Sequence, residues 1–248
     1  MKTTLRLFLA TAVCTLSLMT VAAQTQSIPA ALTPNPRADD WWQKRHAEKC
    51  EIMKAGDIDL LMIGDSITHG WENQKQVWEK FYGGKKILNL GFSGDQTQHV
   101  LWRLQNSPLD AVKPKAAVIM IGTNNIGNDA QDPKDVALGI RAIVHLLQEK
   151  YPDIKIFVLY VFPRDNQPDG KLRVKTVKIN SYLPGFLGDV KNVTLIDINN
   201  KFLDVNGVLE PYIMPDFLHP NTYGYVLWGK AVEPFLKPIL ETPTPAAE

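Results

Sequence analysis

Short apolar runs alternate with amphipathic segments along most of this chain. The runs at residues 58–63, 87–90, 116–121, 156–161 and 193–198 are nearly continuous in apolar character. Strands covered on both faces read this way, whereas half-exposed strands alternate. Between the runs lie segments with helical spacing: around residues 77–81, then 96–104, 135–149 and 174–187. In the third of these, Ala137, Ile140, Ile143, Val144 and Leu147 recur at three- and four-residue steps. Residues 39–55 read as an opening helix and residues 222–240 as a closing one. Five strands alternating with helices predict a flavodoxin-like three-layer α/β/α sandwich on a five-stranded parallel sheet.

The two ends depart from this pattern. Residues 1–23 carry Lys2 and Arg6, then an apolar stretch, then Val21-Ala22-Ala23. That order predicts a cleavable secretory signal peptide, and the stretch is too short for a stable membrane anchor. The expected location is the periplasm or the exterior. Residues 24–38 read as a flexible arm, 39–241 as one domain and 242–248 as a frayed tail. About 200 residues suffice for one core. Loss of residues 1–23 leaves a single cysteine, Cys50, so no internal disulfide is available. It also leaves the chain close to neutral, which gives no reason to expect a nucleic-acid partner.

Chemistry concentrates where the runs end. The first run meets Gly64-Asp65-Ser66. A serine at the carboxyl end of a parallel strand stands where open α/β sheets bind ligands. A helix beginning there would aim backbone N–H groups at the same spot. The tripeptide alone is equally an ordinary turn and helix cap. A serine hydroxyl needs a base, and the imidazole that usually serves needs a carboxylate to orient it. Asp216-Phe217-Leu218-His219 offers both in one segment. Of the other histidines, His145 reads as structural, His46 and His99 as uncommitted, and His69 lacks a dedicated carboxylate. Two further polar turns follow strands: Asn89-Leu90-Gly91-Phe92-Ser93-Gly94-Asp95 and Gly122-Thr123-Asn124-Asn125. Ser66 N–H, Gly91 N–H and the Asn124 amide are candidate donors to a developing oxyanion.

These four blocks resemble the GDSL or SGNH hydrolases, in which each block carries one essential residue type. Within that family the likeness is greatest to the catalytic subunits of intracellular platelet-activating-factor acetylhydrolase. The run from Gly94 to Leu104 and Asn125 in the third block carry that likeness. The resemblance implies Ser66 as nucleophile, with Asp216 and His219 completing a triad. It implies an oxyanion hole of Ser66, Gly91 and Asn124. Thr68 stands where a Gly-x-Ser-x-Gly elbow would need its second glycine.

The expected activity is that of a secreted serine esterase. It would remove a short acyl group, acetyl above all, and acetylated carbohydrate is a candidate substrate. A lysophospholipase or thioesterase of the same family is the alternative, as is a noncatalytic carbohydrate-binding module on this fold. Ile67, Thr123 and Leu218 adjoin the catalytic residues and are expected to wall the acyl pocket. Trp71, five residues after Ser66, is a candidate to stack on a sugar ring, with packing as the equal alternative. No metal or organic cofactor is expected, because no ligand cluster has metal spacing and no phosphate loop is complete.

Overall fold

The computed structural model describes residues 27–241. The signal-peptide and tail expectations lie outside the described residues. Five strands form one all-parallel sheet: β1 Leu60–Gly64, β2 Ile87–Gly91, β3 Ala116–Met120, β4 Lys155–Leu159 and β5 Val193–Ile196. Their order across the sheet is β2-β1-β3-β4-β5. β1 and β3 are buried at every position, as their continuous apolar runs require.

Successive side chains of each strand point to opposite faces, and they feed two separate cores. Leu61, Ile63, Ala117 and Ile119 face one core. There they meet α4 (Thr97–Gln105), α6 (Pro133–Lys150) and α7 (Lys171–Leu187). Leu60, Met62, Val118 and Met120 face the other. Its outer layer is α3 (Lys75–Tyr82) and α8 (Thr222–Leu240). The three-layer α/β/α expectation holds.

The differences are at element ends. β1 begins two residues later than its apolar run and includes Gly64. Ile121 lies beyond β3, and Val161 and Ile198 lie beyond β4 and β5, yet all three are buried. Hydrophobic runs report burial, and burial continues into the loops above the strand ends. The opening helix, α1 (Asp40–Lys54), starts after Asp39. Ahead of it, Ala30–Leu32 form one 3-10 turn, and the buried Ala31 accepts from Thr97 Oγ1 at 2.8 Å. Two short helices had no periodic signal, α2 (Ser66–His69) and α5 (Thr123–Gly127). Both are single turns after strand ends, too short for a 3.6-residue pattern to register.

Candidate active site

The carboxyl ends of β1, β2 and β3 lie side by side, with Gly64 paired to Gly91 and to Met120. This register brings the three polar turns together. Gly64 is required by close approach: a Cβ there would sit 2.2 Å from Thr68 Oγ1 and 2.4 Å from the Met120 carbonyl oxygen. Asp65 caps α2 by accepting from Ile67 N–H at 2.9 Å. It is fully buried, its other oxygen has no hydrogen-bond partner among the described residues, and burial pushes its carboxyl up to about 7.

Ser66 opens α2. Its Oγ lies 2.8 Å from His219 Nε2. His219 Nδ1 lies 2.6 Å from Asp216 Oδ2. The other Asp216 oxygen accepts the Leu218 and His219 backbone N–H groups at 3.1 and 2.7 Å. One carboxylate therefore shapes the turn and aims the ring within it. A carboxylate on Nδ1 selects the tautomer with a proton there. Nε2 is left bare to accept from the serine. Burial pushes the Asp216 carboxyl up. The hydrogen bonds from the His219 ring and backbone outweigh it and hold the group below its ordinary range. The turn ends at Asn221, which caps α8 through Gly224 N–H at 3.1 Å.

The second turn departs from the sequence expectation. Gly91 N–H donates to Asn89 Oδ1 at 2.8 Å, so it is not free for an oxyanion. Gly91 is glycine for packing, because a Cβ there would lie 2.1 Å from His69 N. Gly94 carries an unoccupied N–H of this turn. Its φ of +80° favours glycine, and among the described residues its N–H has no hydrogen-bond partner. Asn124, buried in α5, donates from Nδ2 to the Asp95 carbonyl at 3.0 Å. That bond ties the third turn to the residue after Gly94.

Asp95 anchors the second turn, and its residue type alone assigned it no role. Its side chain is fully buried and accepts from Arg103 Nε at 2.8 Å and Trp42 Nε1 at 2.7 Å. Arg103 stacks 3.8 Å from the Phe92 ring centroid and donates to the Leu90 carbonyl at 3.2 Å. The signal was the acid and base at the two ends of the Gly94–Leu104 run. Asn125 holds the third turn, joining Thr97, Gln98 and Gln131.

Several expected binding residues lie elsewhere. Trp71 has no exposed surface. Its ring packs against Trp78, Tyr82, Tyr225 and Trp228, and it cannot stack on a sugar. Ile67 is buried in that same core. Thr123 is buried and accepts from Arg164 Nη1 through both its carbonyl and its hydroxyl. Leu218 is half-buried against the core. The reason is common to all: neighbours of a turn residue along the chain point away from the side it presents. The cavity of ≈340 Å³ containing Ser66 and His219 is walled instead by the polar His69, Asn73, Gln74 and Ser93, with Gly70, Pro220 and Tyr225 completing it. His69 also has a carboxylate, since Glu72 Oε2 stands 3.5 Å from its Nε2. His99 is structural: its Nδ1 accepts the Gln96 N–H at the start of α4.

The family described as GDSL-like Lipase/Acylhydrolase matches residues 62–227. Platelet-activating factor acetylhydrolase IB subunit alpha2 of Rattus norvegicus is 36% identical over 222 residues, which are 88% of this chain and 95% of that protein. Among solved structures, a GDSL-like lipase from Bacteroides thetaiotaomicron superposes with a TM-score of 0.65 at 19% identity, over 79% of this chain and 98% of that one. The acetylxylan esterase Axe2 of Geobacillus stearothermophilus gives 0.58 at 18% identity, over 74% and 94%. Fold, site and relatives define a serine hydrolase of the α/β class acting on esters. The chain belongs to the GDSL-like lipase/acylhydrolase family.

Proposed function

We propose that this enzyme removes acetyl or similarly short acyl groups from an oxygen ester through an acyl-serine intermediate. The observation that carries the reading is the unbroken chain Ser66 Oγ–His219–Asp216, at 2.8 and 2.6 Å. In the first half-reaction Ser66 Oγ bonds to the ester carbonyl carbon while its proton passes to His219 Nε2. The oxyanion rests on Ser66 N–H, Gly94 N–H and Asn124 Nδ2. Collapse breaks the bond to the alcohol oxygen, which takes the proton from His219. Water then attacks the acyl carbon as its proton passes to His219; the bond to Ser66 Oγ breaks, the serine takes that proton back, and the acid leaves.

The acetyl preference is supported by two relatives with different alcohols. One is named for acetyl release from platelet-activating factor and the other for acetylxylan. The polar walls of the cavity favour the carbohydrate side of that pair over the lipid side. Export is supported by the charged, apolar and small-residue order of residues 1–23. The test is covalent labelling of the purified enzyme with a fluorophosphonate and, on separate unlabelled enzyme, hydrolysis of p-nitrophenyl acetate. Labelling of Ser66 together with turnover supports the reading. A label on another residue refutes it.

A further inference from the structure

The catalytic cavity contains a second chain of side chains that the acyl-transfer steps do not use. Ser93 Oγ lies 3.0 Å from His69 Nδ1, and His69 Nε2 lies 3.5 Å from Glu72 Oε2. Ser93 and His69 line the cavity beside Ser66 and His219. Glu72 stands behind them and is itself clamped. Arg45 grips it with two hydrogen bonds of 3.0 and 2.7 Å, and Lys49 adds a third of 3.0 Å. Burial pushes the Glu72 carboxyl up, but hydrogen bonds from His69, Arg45 and Lys49 outweigh it and keep it ionised. Arg45 also donates to the Gly91 carbonyl at 3.0 Å, which joins the clamp to the sheet. The Trp41 ring lies against His69, with centroids 6.5 Å apart and planes 20° from parallel. Arg37 holds the Ser93 carbonyl at 2.7 Å.

So many constraints on one half-buried histidine–serine pair fix its geometry without giving it a role in the core. An ionised carboxylate at Nε2 selects the tautomer with a proton there. Nδ1 then accepts the Ser93 hydroxyl proton. The lone pairs of Ser93 remain, and they face the cavity as acceptors. Next to them the Asn73 side chain has no hydrogen-bond partner among the described residues, and Gln74 uses only its Oε1, toward Thr222. The wall thus offers one fixed acceptor and free amide donors. A hydroxyl-bearing alcohol satisfies both kinds of group, whereas a hydrocarbon would desolvate them with no return.

We propose that Ser93, positioned by His69 and Glu72, binds the alcohol half of the substrate, and that this alcohol carries a free hydroxyl near the esterified one, as a polyol or saccharide does. This rests on the esterase reading above and names the leaving-group class within it. Glu72 and His69 are positioning residues; Ser93 touches the substrate.

The experiment compares glycerol 1-acetate with propyl acetate, which have the same carbon skeleton and acyl group and differ by two hydroxyls. The wild-type kcat/KM ratio should favour glycerol 1-acetate at least about tenfold, chiefly through KM, since a site built to hydrogen-bond a hydroxyl discriminates against its absence. Ser93→Ala should bring the ratio below about threefold, and His69→Ala should do the same. His69→Gln, which keeps a polar group for Ser93, should recover part of it. A purely structural role would lower both substrates together and leave the ratio standing. A wild-type ratio below about threefold, or a Ser93→Ala ratio equal to the wild type's, overturns the proposal. Fluorophosphonate labelling of Ser66 in each protein separates this failure from that of the esterase reading. With no label and no turnover of either ester in the wild type, both fall together.

Discussion

The Gly91 N–H donates to Asn89 Oδ1 at 2.8 Å, and this bond occupies the donor that an oxyanion would need from Gly91. An N–H already satisfied by a buried side chain would have to break that bond to serve an oxyanion. Gly94, with a φ of +80° and an N–H unpaired among the described residues, has nothing to break. Asn124→Ala should therefore lower kcat roughly 10²–10³-fold with little change in KM, the scale of one preorganised donor lost. Gly94→Ala keeps the N–H but strains a φ of +80° and brings its Cβ within 2.8 Å of Arg37 Nη1, so it should lower both kcat and the melting temperature. Gly91→Ala should chiefly lower the melting temperature, because its Cβ would land on His69 backbone atoms. Steady-state kinetics and thermal unfolding on the three variants distinguish the roles. A kcat loss confined to Gly91→Ala would restore that glycine to the oxyanion hole.

The two histidines at the cavity make a ranked prediction. Ser66→Ala should lower kcat by at least about 10³-fold, and His219→Ala nearly as much. Asp216→Asn should fall between these and His69→Ala on an aryl acetate, because Asp216 orients the base and never bonds to substrate. Asp216, held below its ordinary range, keeps its charge in mild acid and continues to orient the imidazole there. If His69→Ala proved the more damaging variant, the base would be His69 and the Glu72 clamp its orienter.

How much of this was legible in the chain depends on the length of each signal. The sheet was readable because each strand is apolar at nearly every position, and α6 because its core face repeats over eighteen residues. Ser66, Asp216 and His219 were legible as candidates because such chemistry is carried by residue type, and the fold brings the three within hydrogen-bond reach. The choice between Gly91 and Gly94 was not, since it turns on a hydrogen bond from Gly91 to Asn89 that no spacing encodes. Trp71 failed for a related reason: an aromatic five residues past a nucleophile can turn to either side of a short helix. Here it turns inward to an aromatic cluster with Tyr225 and Trp228. The Glu72–His69–Ser93 chain needed two turns and α1 brought together, so only the fold reveals it.

Asp65 supplies a stability prediction with a definite sign. Its carboxyl rises from an ordinary value near 4 to about 7 because it is buried. A group with a raised folded-state value makes the fold bind the proton more tightly than the open chain does. Its contribution is complete below the unfolded value and is lost as pH rises through about 7. The Asp65→Asn variant keeps an acceptor for Ile67 N–H but cannot ionise. Its stability relative to the wild type should therefore improve between about pH 4 and 7 and level off above. At about 1.4 kcal/mol for each tenfold gain in proton affinity, a few kcal/mol are at stake, within reach of urea unfolding. A relative stability that is flat with pH would mean that Asp65 is charged in the fold.

Acyl length gives the last prediction, on grounds changed by the structure. Ile67 and Thr123 are buried and do not wall the cavity, so a narrow aliphatic pocket is no longer the reason for a short acyl group. The reason is polarity. The space of ≈340 Å³ at Ser66 is bordered by His69, Asn73, Gln74 and Ser93. That wall takes the alcohol half, so an acyl chain of eight carbons would have to compete for it, covering amide and hydroxyl groups and leaving them without water. Each such group left unpaired costs about 1–3 kcal/mol, and about 1.4 kcal/mol is a decade in rate. On p-nitrophenyl esters, kcat/KM should fall at least about tenfold from acetate to octanoate. The leaving group is constant in that series, so the fall reports the acyl side alone. Asn73→Leu should flatten it by giving the chain an apolar neighbour. A wild-type optimum at eight carbons or more would place the acyl group in a different, apolar space and favour a lysophospholipase over an acetylesterase.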